Sequence, residues 1–151
     1  MAMLTVFSLT LLGCSDDDDF DNANRRDLEN RSFSFTDGRA LDLPGQQVTL
    51  TFGAFGIGGQ PRAGTATLTT ASVPGGMASG SFFVETEGNV FNEGINLSPD
   101  STCFMEITSS TLQAVPVGKQ LRFDPCDVDD VTGALRLEND DTEAVSVSTV
   151  P

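Results

Sequence analysis

Short runs of alternating apolar and polar residues dominate the chain from about residue 31 onward. Examples are Val48-Thr49-Leu50-Thr51-Phe52, Ala66-Thr67-Leu68-Thr69, Cys103-Phe104-Met105-Glu106-Ile107, Leu121-Arg122-Phe123 and Ala144-Val145-Ser146-Val147-Ser148. Alternation with a period of two places one row of side chains on a core and the other in water, as in a half-buried antiparallel strand. Turn-forming pairs such as Asp37-Gly38 and Pro44-Gly45 separate the runs. The pattern predicts about eight or nine strands and no helix.

The strand spacing indicates an all-β domain. We expect residues 31–151 to form a single β-sandwich, with a small β-barrel as the alternative. A chain of 151 residues is long enough for one such domain. The phenylalanines are expected in its core, and they include Phe33, Phe35, Phe52, Phe82, Phe83, Phe91, Phe104 and Phe123.

The composition excludes several classes of function. The formal net charge is -14, with 22 acidic and 8 basic residues, and the chain has no His, Trp or Tyr. An acidic surface repels phosphates, so we expect no nucleic-acid partner. Without histidine the chain lacks the usual base for a nucleophile and the commonest metal ligand, so we expect no enzyme. Glu85 and Glu87 could share one strand face as a carboxylate pair for sugar cleavage, but exposed strand-edge acids explain them better.

The N-terminus carries an apolar run that ends at a cysteine. Residues Ala2 to Leu12 are uncharged and mostly apolar, and Gly13 and Cys14 follow. The run has the length of a signal-peptide core and is too short for a spanning helix. Leu11-Leu12-Gly13-Cys14 resembles the lipobox of bacterial lipoproteins, although the Lys or Arg that normally begins such signals is missing here.

The resemblance implies that residues 1–13 are removed as a signal peptide and that Cys14 is acylated, which anchors the chain to a membrane. The alternative is a buried N-terminal segment with an incidental cysteine.

An acidic segment follows Cys14. Ser15-Asp16-Asp17-Asp18-Asp19 repels itself and has nothing to bury, so residues 14–30 are expected to form a disordered tether. The segment also resembles the acidic export signal that follows the lipidated cysteine of some surface lipoproteins, although an ordinary acidic linker would look alike. We expect an outer-membrane lipoprotein of the bacterial cell envelope, with exposure at the cell surface left open.

Two cysteines remain once Cys14 takes the lipid. Cys103 and Cys126 are expected to form a disulfide in an oxidising compartment, with Cys126 placed beyond a strand, after Pro125. Neither lies in a Cys-x-x-Cys pattern or beside a histidine, so a stabilising role is favoured over a redox one.

Aspartates close together near the C-terminus suggest a cation site. Asp127, Asp129, Asp130, Asn139, Asp140 and Asp141 offer oxygen ligands of the kind that calcium prefers, although their spacing does not match an EF-hand. Solvated turn acids are the competing interpretation. The sequence thus favours a non-enzymatic lipoprotein that serves envelope structure, adhesion or binding of a protein or glycan partner, with a calcium-dependent binding module as the alternative.

Overall fold

The part of the chain that the structure describes forms nine antiparallel strands. The computed structural model describes residues 28–56, 63–86, 101–129 and 131–148. The strands are β1 (Ser32–Phe35), β2 (Val48–Phe55), β3 (Ala63–Thr70), β4 (Gly76–Thr86), β5 (Ser101–Ser110), β6 (Gln120–Phe123), β7 (Cys126–Val128), β8 (Leu135–Asn139) and β9 (Thr142–Ser148). A short 3-10 helix, Arg39–Leu41, lies between β1 and β2. Among the described residues no helix is long and apolar enough to cross a membrane.

The sheet nearly closes on itself. Its order is β6-β5-β4-β3-β2-β1-β9-β8-β7, so the two outermost strands, β6 and β7, are consecutive in the chain. Only Asp124 and Pro125 separate β6 from β7. The two strands act as one bent strand, which pairs with β5 before the bend and with β8 after it. At the bend the Asp124 N–H donates to the Glu138 carbonyl at 2.8 Å, and the Glu138 N–H donates to the Pro125 carbonyl at 3.1 Å. The all-β prediction is confirmed, and the nearly closed, barrel-shaped sheet is compatible with both predicted architectures, the β-sandwich and the small barrel.

Phenylalanine rings fill the interior. Phe52 meets Phe33 and Phe82 edge-to-face at centroid distances of 5.7 and 4.8 Å, a favourable aromatic geometry. All three rings are buried, as are Phe35 and Phe123. Full burial of each such side chain stabilises the fold by about 1.5–3 kcal/mol relative to exposure.

Two of the phenylalanines predicted for the core lie on the outer face instead. Phe83 and Phe104 pair directly across β4 and β5, and their rings stack outside the barrel at 4.7 Å. Both are half-buried. The reason is the period of two: residues 82 and 84 of β4 and residues 103 and 105 of β5 point inward, so 83 and 104 must point outward. Phe91 lies outside the described residues.

Hydroxyl side chains cover the outer face of β1, β2 and β3. Ser32 and Thr51 lie 3.0 Å apart, and Ser34 and Thr49 lie 3.3 Å apart, each pair hydrogen-bonded across neighbouring strands. Such cross-strand pairs stabilise a sheet without burying charge. No charged residue occurs in these three strands, although the whole chain carries a net charge of -14.

The loops between strands lie at two opposite ends of the barrel. Because neighbouring strands run in opposite directions, residues 36–47, 71–75, 111–119 and 140–141 all lie at one end, which we call the cap end. Ala40, Leu41 and Leu43 are buried there. Asp37 stabilises the conformation of residues 36–47, since its Oδ1 accepts hydrogen bonds from the N–H groups of Arg39 and Gly45, both at 3.0 Å.

The chain enters the barrel at the opposite end, which we call the entry end. Leu28 is fully buried there, the Asn30 N–H donates to the Gly53 carbonyl at 3.4 Å, and Arg31 donates to the Gly133 carbonyl at 3.2 Å. Residues 28–30, which the sequence assigned to the tether, therefore pack on the barrel.

Candidate functional site

The disulfide lies across the seam where the barrel closes. Cys103 of β5 and Cys126 of β7 are bonded, with their Cα atoms 5.9 Å apart, and both are fully buried. The predicted pairing is confirmed, but Cys126 begins a strand of its own instead of lying in a loop. The bond therefore joins β5 to β7, the strand that follows the bend, and fixes the seam.

The structure separates the aspartates of the predicted calcium site into two groups. Asp127 lies in β7, and Asp129 lies just beyond it, where its N–H donates to the carbonyl of Ala134, the residue before β8. Asn139, Asp140 and Asp141 lie at the other end of β8, in the turn to β9. A strand rises about 3.3 Å per residue, so the length of β8 keeps the two groups more than about 10 Å apart.

Asp129 organises a turn. Its Oδ1 accepts hydrogen bonds from the Val131 N–H at 3.0 Å and from the Thr132 hydroxyl at 2.8 Å, and the Thr132 N–H donates to it as well. The backbone hydrogen bond from Thr132 is the main reason that the pKa of Asp129 is lowered. These donors occupy an oxygen that a cation would need.

Asp127 belongs to a charge cluster on the outer face of β7, β8 and β9. Burial raises the pKa of Asp127, and Arg136, directly across in β8, offsets part of that rise. Arg136 lies 3.0 Å from both Glu138 and Glu143, and the hydrogen bond to Glu143 is the main cause of its raised pKa. Exposed ion pairs of this kind contribute about 0–1 kcal/mol each, so the cluster mainly orients side chains.

Asp140 and Asp141 form the tight turn between β8 and β9. Asn139 pairs with Thr142, which leaves the two aspartates as the loop, and both have positive φ, 45° and 65°. This is the conformation of a two-residue hairpin turn, in which Asp, Asn and Gly are preferred. Both residues therefore have a structural role.

In the described part of the chain, no three His, Cys, Asp or Glu residues are grouped so that they could hold a metal ion. Asp130 lies outside that part, and the calcium prediction stays a prediction. Cys14 and Glu87 also lie outside it, whereas Glu85 is exposed on β4.

A polar cleft opens at the cap end of the seam. It lies between β6 and the β8–β9 turn and has a volume of about 590 Å³. Its carboxylates are Asp42, Asp124, Glu138, Asp140 and Asp141; its cations are Lys119 and Arg122; its amides are Gln120 and Asn139. We call this the seam cleft. The volume lies in the range of about 300–1,000 Å³ typical of ligand pockets.

Contacts with residues 36–47 and 111–119 of the cap end hold the rim of the seam cleft in place. Lys119 forms an ion pair with Asp42 at 2.6 Å and donates to the Ala114 carbonyl at 3.2 Å. The Asn139 side chain donates to the Ala40 carbonyl at 3.4 Å. Asn139, Asp140 and Asp141 are the part of the sequence prediction that reaches this cleft. Asp42, Lys119, Arg122 and Asp124 were missed, since three separate chain segments form the cleft and no local motif marks them.

A smaller apolar pocket lies beside it at the cap end. Its volume is about 380 Å³, and Leu43, Val73, Leu112 and Ala114 supply most of its surface. Val73 is 41% exposed. Both pockets therefore lie at the end opposite to the one where the chain enters.

Comparison with known proteins assigns no family. No family model matches the chain, and neither a curated protein nor a solved structure matches it.

Proposed function

We propose that this chain is an exported lipoprotein of the bacterial cell envelope, anchored in the outer membrane through acylated Cys14, whose barrel is a non-enzymatic binding module. The barrel presents the cap end, with its two pockets, to a protein or glycan partner. The anchor comes from the lipobox-like Leu11-Leu12-Gly13-Cys14, and the binding surface comes from the geometry of the two ends.

The buried disulfide is the observation that carries the export part of the proposal. Disulfides form and persist in oxidising compartments and are rare in the bacterial cytosol. Cys103 and Cys126 have no exposed surface and tie the seam at its bend. A bond placed there supports a fold that is completed after export.

The positions of the two ends support binding at the cap end. The segment that follows Cys14 joins the barrel at Leu28, at the entry end. A lipid anchor would therefore attach the barrel to the membrane from its entry end and leave the seam cleft at the far end, free to meet a partner. The packed interior argues for a surface site, because phenylalanine rings fill the space where a barrel would otherwise hold a ligand.

Lipidation tests the proposal directly. Bacteria that produce the full chain are grown with labelled palmitate, and the membrane and soluble fractions are compared for the natural chain and for Cys14→Ser. We expect label and membrane association for the natural chain only. An unlabelled natural chain, or a Cys14→Ser chain that stays in the membrane, would refute the anchor. Protease treatment of intact cells then separates the surface-facing from the periplasmic leaflet.

A further inference from the structure

One edge of β6 has no strand paired with it in the described structure. β6 is an outermost strand of the sheet, paired with β5 alone. The Lys119 carbonyl accepts from the Ile107 N–H of β5, whereas the Asp124 N–H points the other way, toward β8. Backbone groups alternate between the two sides of a strand, so the N–H and C=O of Arg122 face away from β5 and into the seam cleft.

The neighbouring hairpin cannot pair with that edge. β8 runs beside β7 and then beside Asp124 and Pro125 as far as Glu138. Beyond Asn139 the chain reverses at Asp140 and Asp141 to begin β9. On the entry-end side of Glu138, hydrogen bonds therefore close the barrel. On the cap-end side the barrel is open, and this opening is the seam cleft.

The charges of the seam cleft are unbalanced. Asp42 is paired with Lys119, and Glu138 is paired with Arg136. Asp124, Asp140 and Asp141 line the cleft without an ion pair in the described part of the chain, against the single remaining cation Arg122. The overall charge of -14 adds a field that draws cationic partners.

We propose that the seam cleft binds a short, extended, basic segment of a protein partner. The segment adds to the open edge of β6 through the backbone groups of Arg122, and its lysine or arginine side chains meet Asp124, Asp140 and Asp141. Strand addition at a free edge is a general mode of peptide recognition, in which backbone bonds give affinity and side chains give specificity. The inference names the partner class for the binding module proposed above, and rests on that proposal.

The test uses the full chain in mild detergent and fluorescence anisotropy of a labelled hexapeptide of alternating lysine and valine. A hexapeptide with glutamate in place of lysine measures the charge requirement. A lysine peptide N-methylated at alternate amides measures the backbone requirement, because it cannot donate to β6. We expect the N-methylated peptide to bind about tenfold more weakly, as the loss of one or two hydrogen bonds implies, and the glutamate peptide not to bind.

Substitutions locate the site. Asp140→Asn combined with Asp141→Asn removes two charges and keeps the turn, because asparagine tolerates positive φ. We expect this variant to bind the lysine peptide about fivefold more weakly. Asp140→Asn alone should have a smaller effect, and Glu85→Gln, which removes one exposed carboxylate elsewhere on the barrel, should have none.

Three results would each overturn a different part of the inference. Equal binding of the N-methylated peptide would overturn strand addition, and equal losses in the Glu85→Gln and Asp140→Asn variants would overturn the location. No binding of the lysine peptide would overturn the whole inference. None of these results bears on acylation of Cys14, which the palmitate experiment decides separately.

Discussion

Removal of the Cys103–Cys126 disulfide should destabilise the barrel substantially. The two cysteines are 23 residues apart. On the chain-entropy model, closing a loop of this size lowers the entropy of the unfolded chain enough to stabilise the fold by roughly 3–4 kcal/mol. Cys103→Ala combined with Cys126→Ala is the suitable perturbation, because both sites are fully buried and serine would add an unpaired hydroxyl.

Urea unfolding followed by far-ultraviolet circular dichroism measures the loss, since the chain has neither Trp nor Tyr to report by fluorescence. With an m-value of about 2 kcal/mol/M, the midpoint should fall by roughly 1.5–2 M. Natural chain reduced in denaturant and then refolded should match the variant. An unchanged midpoint would refute the entropy argument and the structural role of the disulfide.

Four further predictions concern other parts of the molecule. Phe52→Ala should cost about 3–5 kcal/mol because it leaves a core cavity, whereas Phe83→Ala on the outer face should cost about 1 kcal/mol; urea unfolding compares them, and equal losses would contradict the assignment of the two faces. Asp140→Asn with Asp141→Gly should stabilise the barrel by about 0.5–1 kcal/mol, because both residues suit the positive-φ turn; a lower melting temperature would contradict that turn type. Asp129 has a lowered pKa in the folded chain, so its stabilising effect should be present above pH 3.8 and disappear as the pH falls through its folded-state pKa; unfolding of the natural chain and of Asp129→Asn from pH 2 to 7 should converge at the acid end, and a constant difference would contradict this. Millimolar calcium should leave the melting temperature of the full chain unchanged, because the described residues of the predicted calcium site lie in two separate groups; a rise of several degrees would show that a calcium site forms.

The alternation in the sequence predicted the strands because half-buried strands need it. Val48–Phe52, Cys103–Ile107 and Leu121–Phe123 all lie in strands, and their apolar residues point inward except for Phe104. The cysteine pair was also predictable, since the expectation that Cys14 takes a lipid left only Cys103 and Cys126 as candidates. The strands were predictable from the local alternation of apolar and polar residues, and the disulfide was predictable from the number of cysteines.

The alternation of apolar and polar residues did not predict the register of the strands, which decides which side chains point inward. In β9, hydrophobicity alone would turn the valines inward, yet Val145 is 47% exposed and Val147 is 59% exposed. The two-residue turn pairs Leu137 with Ala144 and so turns Ala144 and Ser146 inward. Ser146 is tolerated there because its hydroxyl accepts the Leu135 N–H at 2.7 Å.

The closure of the barrel and the seam cleft could not be predicted for a related reason. The bend at Asp124 and Pro125 makes one strand pair with two partners, and only the complete sheet shows it. The cleft gathers Asp42, Lys119, Arg122 and Asp140 from segments up to about a hundred residues apart. No single segment carries a motif for it.

Intact mass of the chain purified from bacterial membranes tests the central proposal most directly. A mass that corresponds to a chain beginning at Cys14, increased by acyl groups and reduced by the two hydrogens of one disulfide, would support an anchored, exported barrel. A mass that retains residues 1–13 without lipid, and with Cys103 and Cys126 as free thiols, would contradict it.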